Sequence, residues 1–122
     1  MFSKSTDDGK TWSTPQEVHT TSTKWNHFLT WLTVDPSNGY LHFVYYKKDR
    51  SSKLTDVAWS YSKDAGESFI ETVISEKPFE PNAFVFFGDY LNIVARNNVI
   101  RPVWPRMDKG AISLWTALID LK

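Results

Sequence analysis

The chain has 122 residues, with 14 basic and 14 acidic side chains, a formal net charge of zero and no cysteine. Charges of both signs are mixed along its length, so no long-range field favours nucleic acid or an anionic membrane. The absence of cysteine removes a disulfide framework and any thiolate-held metal, and there is neither an apolar run of membrane-spanning length nor a charged-then-apolar leader.

Aromatic residues make up 16% of the chain, and no stretch keeps helical spacing, which together predict an all-β fold. In chain order, strands are expected near 2–6, 15–20, 29–35, 40–46, 56–62, 70–75, 89–96, 99–104 and 112–118. Asn38-Gly39 reads as a hairpin turn before Leu41, and Asn97-Asn98 plays the same part before Val99. Pro102 and Pro105 predict a bend or bulge in their strand, because proline cannot donate to a ladder.

Between the expected strands, one pattern occurs twice. Ser5-Thr6-Asp7-Asp8-Gly9-Lys10-Thr11-Trp12 is followed 57 positions later by Ser62-Lys63-Asp64-Ala65-Gly66-Glu67-Ser68-Phe69. In Ser-x-Asp-x-Gly-x-Thr/Ser-aromatic, the carboxylate accepts bonds from backbone N–H groups further on, and glycine supplies a positive φ. The hydroxyls satisfy other loop groups, and Trp12 and Phe69 are expected to turn inward as anchors. Asp7 and Asp64 therefore read as structural, consumed by their own turns. The repetition extends further. Trp59 aligns with Trp115 at an offset of 56, His42-Phe43-Val44-Tyr45 with Arg101-Pro102-Val103-Trp104 at 59, and Phe28-Leu29-Thr30-Trp31 with Phe87-Gly88-Asp89-Tyr90 at 59. A unit of this length suits a four-stranded propeller blade.

The two turns resemble the Asp box, or BNR repeat, of sialidase-like glycosyl hydrolases: the first copy matches in full, and the second has Ser68 and Phe69 in place of Thr and Trp. The stretch from Phe87 through Arg101-Pro102-Val103-Trp104 to Leu114-Trp115-Thr116 is similar to the C-terminal part of such enzymes. The resemblance implies a sialidase-like β-propeller of six blades. Six such units would need about 350 residues, so a partial propeller of about two blades is expected here. The expected divisions are 1–22 as the end of one blade with the first box, 23–77 as a complete blade with the second, and 78–122 as three strands of the next. The ring would be completed by the remainder of a longer chain or by a homo-oligomer such as a trimer.

In that family the boxes lie on the outer rim between third and fourth strands, and the functional face is opposite. By resemblance, Asp89, Tyr90 and Arg106 have the residue types for catalysis, with Trp25, Asp49, Arg50 and Asp108 as substrate contacts. Arginine would clamp a sugar carboxylate, an acid would assist the leaving group, and a tyrosine would act as nucleophile. The box residues Ser5, Asp7, Gly9, Thr11, Trp12, Ser62, Asp64, Gly66, Ser68 and Phe69 would be structural. The family's early Arg-Ile-Pro segment has no counterpart, so the chain alone is expected not to be catalytically complete. Two readings stay open: a section of a glycoside hydrolase acting on glycans, or a non-catalytic carbohydrate-binding or structural module with Trp25, Trp31 or Tyr90 as stacking platforms. His19, His27 and His42 lack metal-ligand spacing, so no metal is expected, and no cofactor is implied. Family analogy suggests a secreted or periplasmic protein.

Overall fold

The computed structural model describes residues 1–82, 84 and 90–122, and among them every regular element is a strand. The first sheet is an antiparallel meander of β1 (Trp25–Val34), β2 (Leu41–Asp49), β3 (Thr55–Ser62) and β4 (Ile70–Val73), in that spatial order. The second comprises β5 (Asn92–Arg96), β6 (Val99–Asp108), β7 (Ala111–Thr116) and β8 (Ile119–Asp120), with β7 and β8 both paired to β6.

The core explains which runs became central strands. Val44, Tyr46, Val57 and Trp59 project from one face of the first sheet onto Ile93, Ala95, Ile100 and Trp104 of the second. Phe43, Tyr45 and Ala58 project from its other face onto Val18, Phe2 and Phe69. β2 and β3 are thus covered on both faces and read as nearly continuous apolar runs, whereas β5 alternates buried and exposed residues because only one face is covered.

Three expectations need correction. The strands expected at 2–6 and 15–20 reduce to a narrow hairpin with one bridge, Phe2 to Gln16, flanked by a Ser13 N–H to Lys4 O bond of 2.8 Å. Pro15 has no N–H to extend that ladder. β6 has no bulge at its prolines. Its register with β7 and β8 is the same on both sides of Pro102, and the interruption falls on the partner at Ala117 and Leu118. Proline removes a ladder bond there without shifting the pairing. Finally, Trp59 and Trp115 are not equivalent. Tyr45 pairs with Ala58 and its counterpart Trp104 pairs with Trp115, so Trp115 occupies the place of Ala58, at an offset of 57. A one-residue difference puts the two indoles on opposite faces.

The irregularity lies instead in β1, where Leu29 and Thr30 together oppose Tyr45 and Leu29 adopts φ 51°. This is a β-bulge carried by a residue with a side chain, a costly conformation.

The strands give the molecule two distinct ends. One carries the loop at 63–69, the β1–β2 hairpin and the Asn97-Asn98 turn. There Asp35, fully buried, accepts from the N–H groups of Ser37 (2.8 Å), Asn97 (3.2 Å) and Asn98 (2.9 Å), tying both sheets together. The other end carries the approach to β1 and the loops at 50–54 and 109–110. An eight-residue strand such as β3 separates the two ends by roughly 25 Å.

Candidate functional site

The two repeated turns share one central set of hydrogen bonds. In the first, Ser5 Oγ donates to Asp7 Oδ1 (2.8 Å) and accepts from Gly9 N (2.8 Å), while Thr11 donates from N (2.9 Å) and Oγ1 (2.6 Å) to the Asp7 carboxylate. In the second, Ser62, Gly66 and Ser68 bind Asp64 and one another in the same way, at 2.7, 2.8, 2.9 and 2.5 Å. Asp8 and Gly9 have φ of 59° and 83°, Ala65 and Gly66 of 55° and 87°, so both central residues of each turn are left-handed. Hydrogen bonds from Thr11 and Ser5 hold Asp7 down to about 2, and those from Ser68 and Ser62 hold Asp64 well below the carboxylate range. Both are fixed anions with their oxygens occupied, unsuited to moving protons near neutrality.

The second loop joins β3 to β4 and receives the N-terminal hairpin. Gln16 Nε2 donates to Gly66 O, Lys4 Nζ donates to Ala65 O (3.1 Å) and pairs with Glu67, and the Phe2 ring lies against the Gly66 Cα. Phe69 is edge-on to Phe2 and Phe43. Trp12 differs from expectation: it is 65% exposed, with only an Nε1 to Gly9 O bond of 3.2 Å. Phe69 finds Phe43 on the strand two before it, whereas Trp12 meets no buried ring among the described residues.

Of the residues expected to act on substrate, Asp89 lies outside the described residues. Arg106 is 1% exposed, between the rings of Phe79 and Trp115, whose centres are 5.3 and 5.1 Å from its guanidinium carbon. It grips Asp108 with Nε (2.6 Å) and Nη2 (3.0 Å) and gives Nη1 to Lys77 O (2.7 Å). This bond pulls the Asp108 carboxyl down. Tyr90 stands instead in a groove with Trp31, Val103, Pro105 and Leu114. Val103 is exposed and Arg106 buried on β6, so Tyr90 and Arg106 do not converge on one pocket. Asp49 is spent on its own turn, accepting from Ser51 N (2.7 Å) and Oγ (2.6 Å), which with Lys24 holds it at about 2.

Trp25 and Arg50 do meet. They line a cavity of about 440 Å³ between the first sheet and the N-terminal segment, at the end away from the second box. Lys24 and Lys47 Nζ lie 4.5 and 5.1 Å from the Trp25 ring centre, and Arg50 Nε donates to Asn26 Oδ1 at 2.9 Å. Beneath, Lys47 pairs with Glu71, whose Oε2 accepts from Thr20 N at 2.5 Å.

Sequence reasoning missed the rest of this cavity. His19 and His27 stack at 3.7 Å, with Tyr45 edge-on to His27 at 5.5 Å. His27 Nε2 is buried and makes no hydrogen bond among the described residues, and the Tyr45 hydroxyl is buried beside that of Ser60. Burial, and then His19 beside it, lower the His27 pKa. The only signal in the sequence was the placing of His19 and His27 at either end of the segment that leads into β1. No group of three or more potential metal ligands occurs among the described residues. No protein-family model, curated protein or solved structure matches the chain, so its own residues and geometry carry the functional reading.

Proposed function

We propose that this chain is a section of a sialidase-like Asp-box β-propeller that acts on glycans, and that its own part is to contact sugar rather than to complete a hydrolytic set. The observation that carries the reading is the pair of turns with one bond pattern, the second joining third and fourth strands of a four-stranded antiparallel sheet stacked face to face on the next. Function is then sought opposite the turns, where the cavity of Trp25 and Arg50 opens.

The stacking also supports a continued array. Val44 of the first sheet is covered by the second sheet, while its counterpart Val103 is exposed with Val94, Ile112 and Leu114. A further sheet of the same kind fits that face, supplied by the remainder of a longer chain or by another copy.

The sequestration of Arg106 by Asp108 favours the non-catalytic form of the reading, because an arginine already held by a carboxylate inside a core does not clamp a substrate. Fluorogenic sialosides and other aryl glycosides, followed both for turnover and for binding, test this. The expected result is binding without turnover by the isolated chain. Turnover that disappears in Arg106→Ala would overturn the non-catalytic form, and a chain that neither binds nor cleaves any glycan contradicts the reading as a whole.

A further inference from the structure

We infer that a second cavity, at the seam between the two sheets around Lys48, Lys53 and Lys109, is a subsite for an acidic oligosaccharide whose sugar units carry carboxylate or sulfate groups; this rests on the reading of the chain as glycan-acting. The cavity holds about 810 Å³ and is built by the end of β2 and the loop after it, the end of β6 and its turn, and the segment from Phe79 to Asn82. That size lies within the usual range of ligand pockets, about 300–1,000 Å³. Lys48 shares with Val44 and Tyr46 the face of β2 that turns to the second sheet, whereas Tyr45 turns to the cavity of Trp25. The two cavities thus flank one end of the first sheet, a face each.

The charges of the lining do not cancel. Lys48, Lys53 and Lys109 make no ion pair among the described residues. Of the lining acids, Asp108 already gives both oxygens to Arg106, at 2.6 and 3.0 Å, so Glu80 is left against three ammonium groups. Ammonium is a point charge without the fork of a guanidinium, and it takes carboxylate and sulfate alike. Three such charges around one cavity suit a ligand with several anionic groups better than one with a single carboxylate.

The backbone and the apolar surface agree. Lys53 has φ 62° and Lys109 φ 52°, left-handed positions that asparagine or glycine takes at lower cost. The turns do not call for lysine at either place, and an anionic ligand does. Phe79 and Met107 are buried beneath, and the Phe84 ring is 97% exposed at the rim. A sugar can lay its C–H face on that ring while its acidic groups reach the lysines.

Titration of the chain with tetragalacturonate and with a heparin-derived tetrasaccharide, beside maltotetraose and a methyl sialoside, tests the assignment. At least one of the two acidic tetrasaccharides is expected to bind more tightly than maltotetraose and the sialoside, and to weaken as salt is raised; the two arms tell carboxylate from sulfate. Lys53→Asn and Lys109→Asn are each expected to weaken that binding by about threefold, and together by about tenfold. Asparagine is the residue a left-handed backbone tolerates, so the fold is kept. Lys10→Gln, in the first repeated turn, is expected to leave the affinity unchanged. Unchanged affinity in both asparagine variants, an equal loss in Lys10→Gln, or tighter binding of maltotetraose or the sialoside overturns the subsite and leaves the glycan reading standing. Failure of every glycan to bind overturns both.

Discussion

Gly66 and Gly9 hold the same place in the repeated turn, but their surroundings differ. Both are left-handed, so a side chain at either is strained by about 1–2 kcal/mol. A Cβ at Gly9 meets nothing nearer than Trp12 at 3.9 Å, whereas at Gly66 it would come within 2.4 Å of the Phe2 ring. That ring is wedged between Phe43 and Phe69. Gly66→Ala is therefore expected to cost about 1–3 kcal/mol more than Gly9→Ala through overpacking, measured as the difference in urea unfolding free energies. Equal losses would contradict the packing described. The turn itself was legible in the sequence because every bond in it is local, within about six residues. Arg106 was not, because its fate depends on the distant rings of Phe79 and Trp115, and the exposure of Trp12 depends on packing that the turn's own residues do not set. Tyr45 and His27 were hidden by the bulge, which neither glycine nor proline marks in the sequence.

At the scale of elements, the strands from β1 to β7 followed from alternation and turn residues, while β8 and the N-terminal hairpin did not, and the misjudged points were those where periodicity alone decides nothing. Aligning Trp59 with Trp115 looked natural by residue type, yet the ladder sets register through every pair along β6, and a single slip exchanges the faces. Pro102 was expected to deform its own strand. The register continues unshifted and the interruption falls on the partner at Ala117 and Leu118. Charged and buried groups at the element ends make a pH prediction. Hydrogen bonds hold Asp7, Asp35 and Asp49 near 2 against a usual 3.8, and outweigh burial at Asp35, while burial lowers His27 and His42 below 6.5. In each case the unfolded chain takes up a proton that the folded chain refuses, so stability is present at higher pH and lost on acidification. The urea midpoint is expected to begin falling below about pH 6.5 and to fall further between about pH 4 and pH 2. A midpoint that is flat or rising from pH 7 to pH 4 would contradict these environments.

At the scale of the whole molecule, a polar hairpin layer, a doubly covered sheet and a half-covered sheet make an ordered stack, and its repeat length was readable from the spacing of the turns. What sequence could not supply was the position of the working surface within that stack, because Arg50 and Trp25 share a cavity only through the N-terminal segment folding back over the first sheet. The central claim is that the turns fasten one end while sugar is met at the other. Amide chemical-shift mapping of the chain with a bound glycoside tests it most directly. Shifts are expected at His19, Trp25, His27, Tyr45 and Arg50, with Asp7 to Trp12 and Asp64 to Phe69 unmoved; shifts centred on those two turns would contradict it.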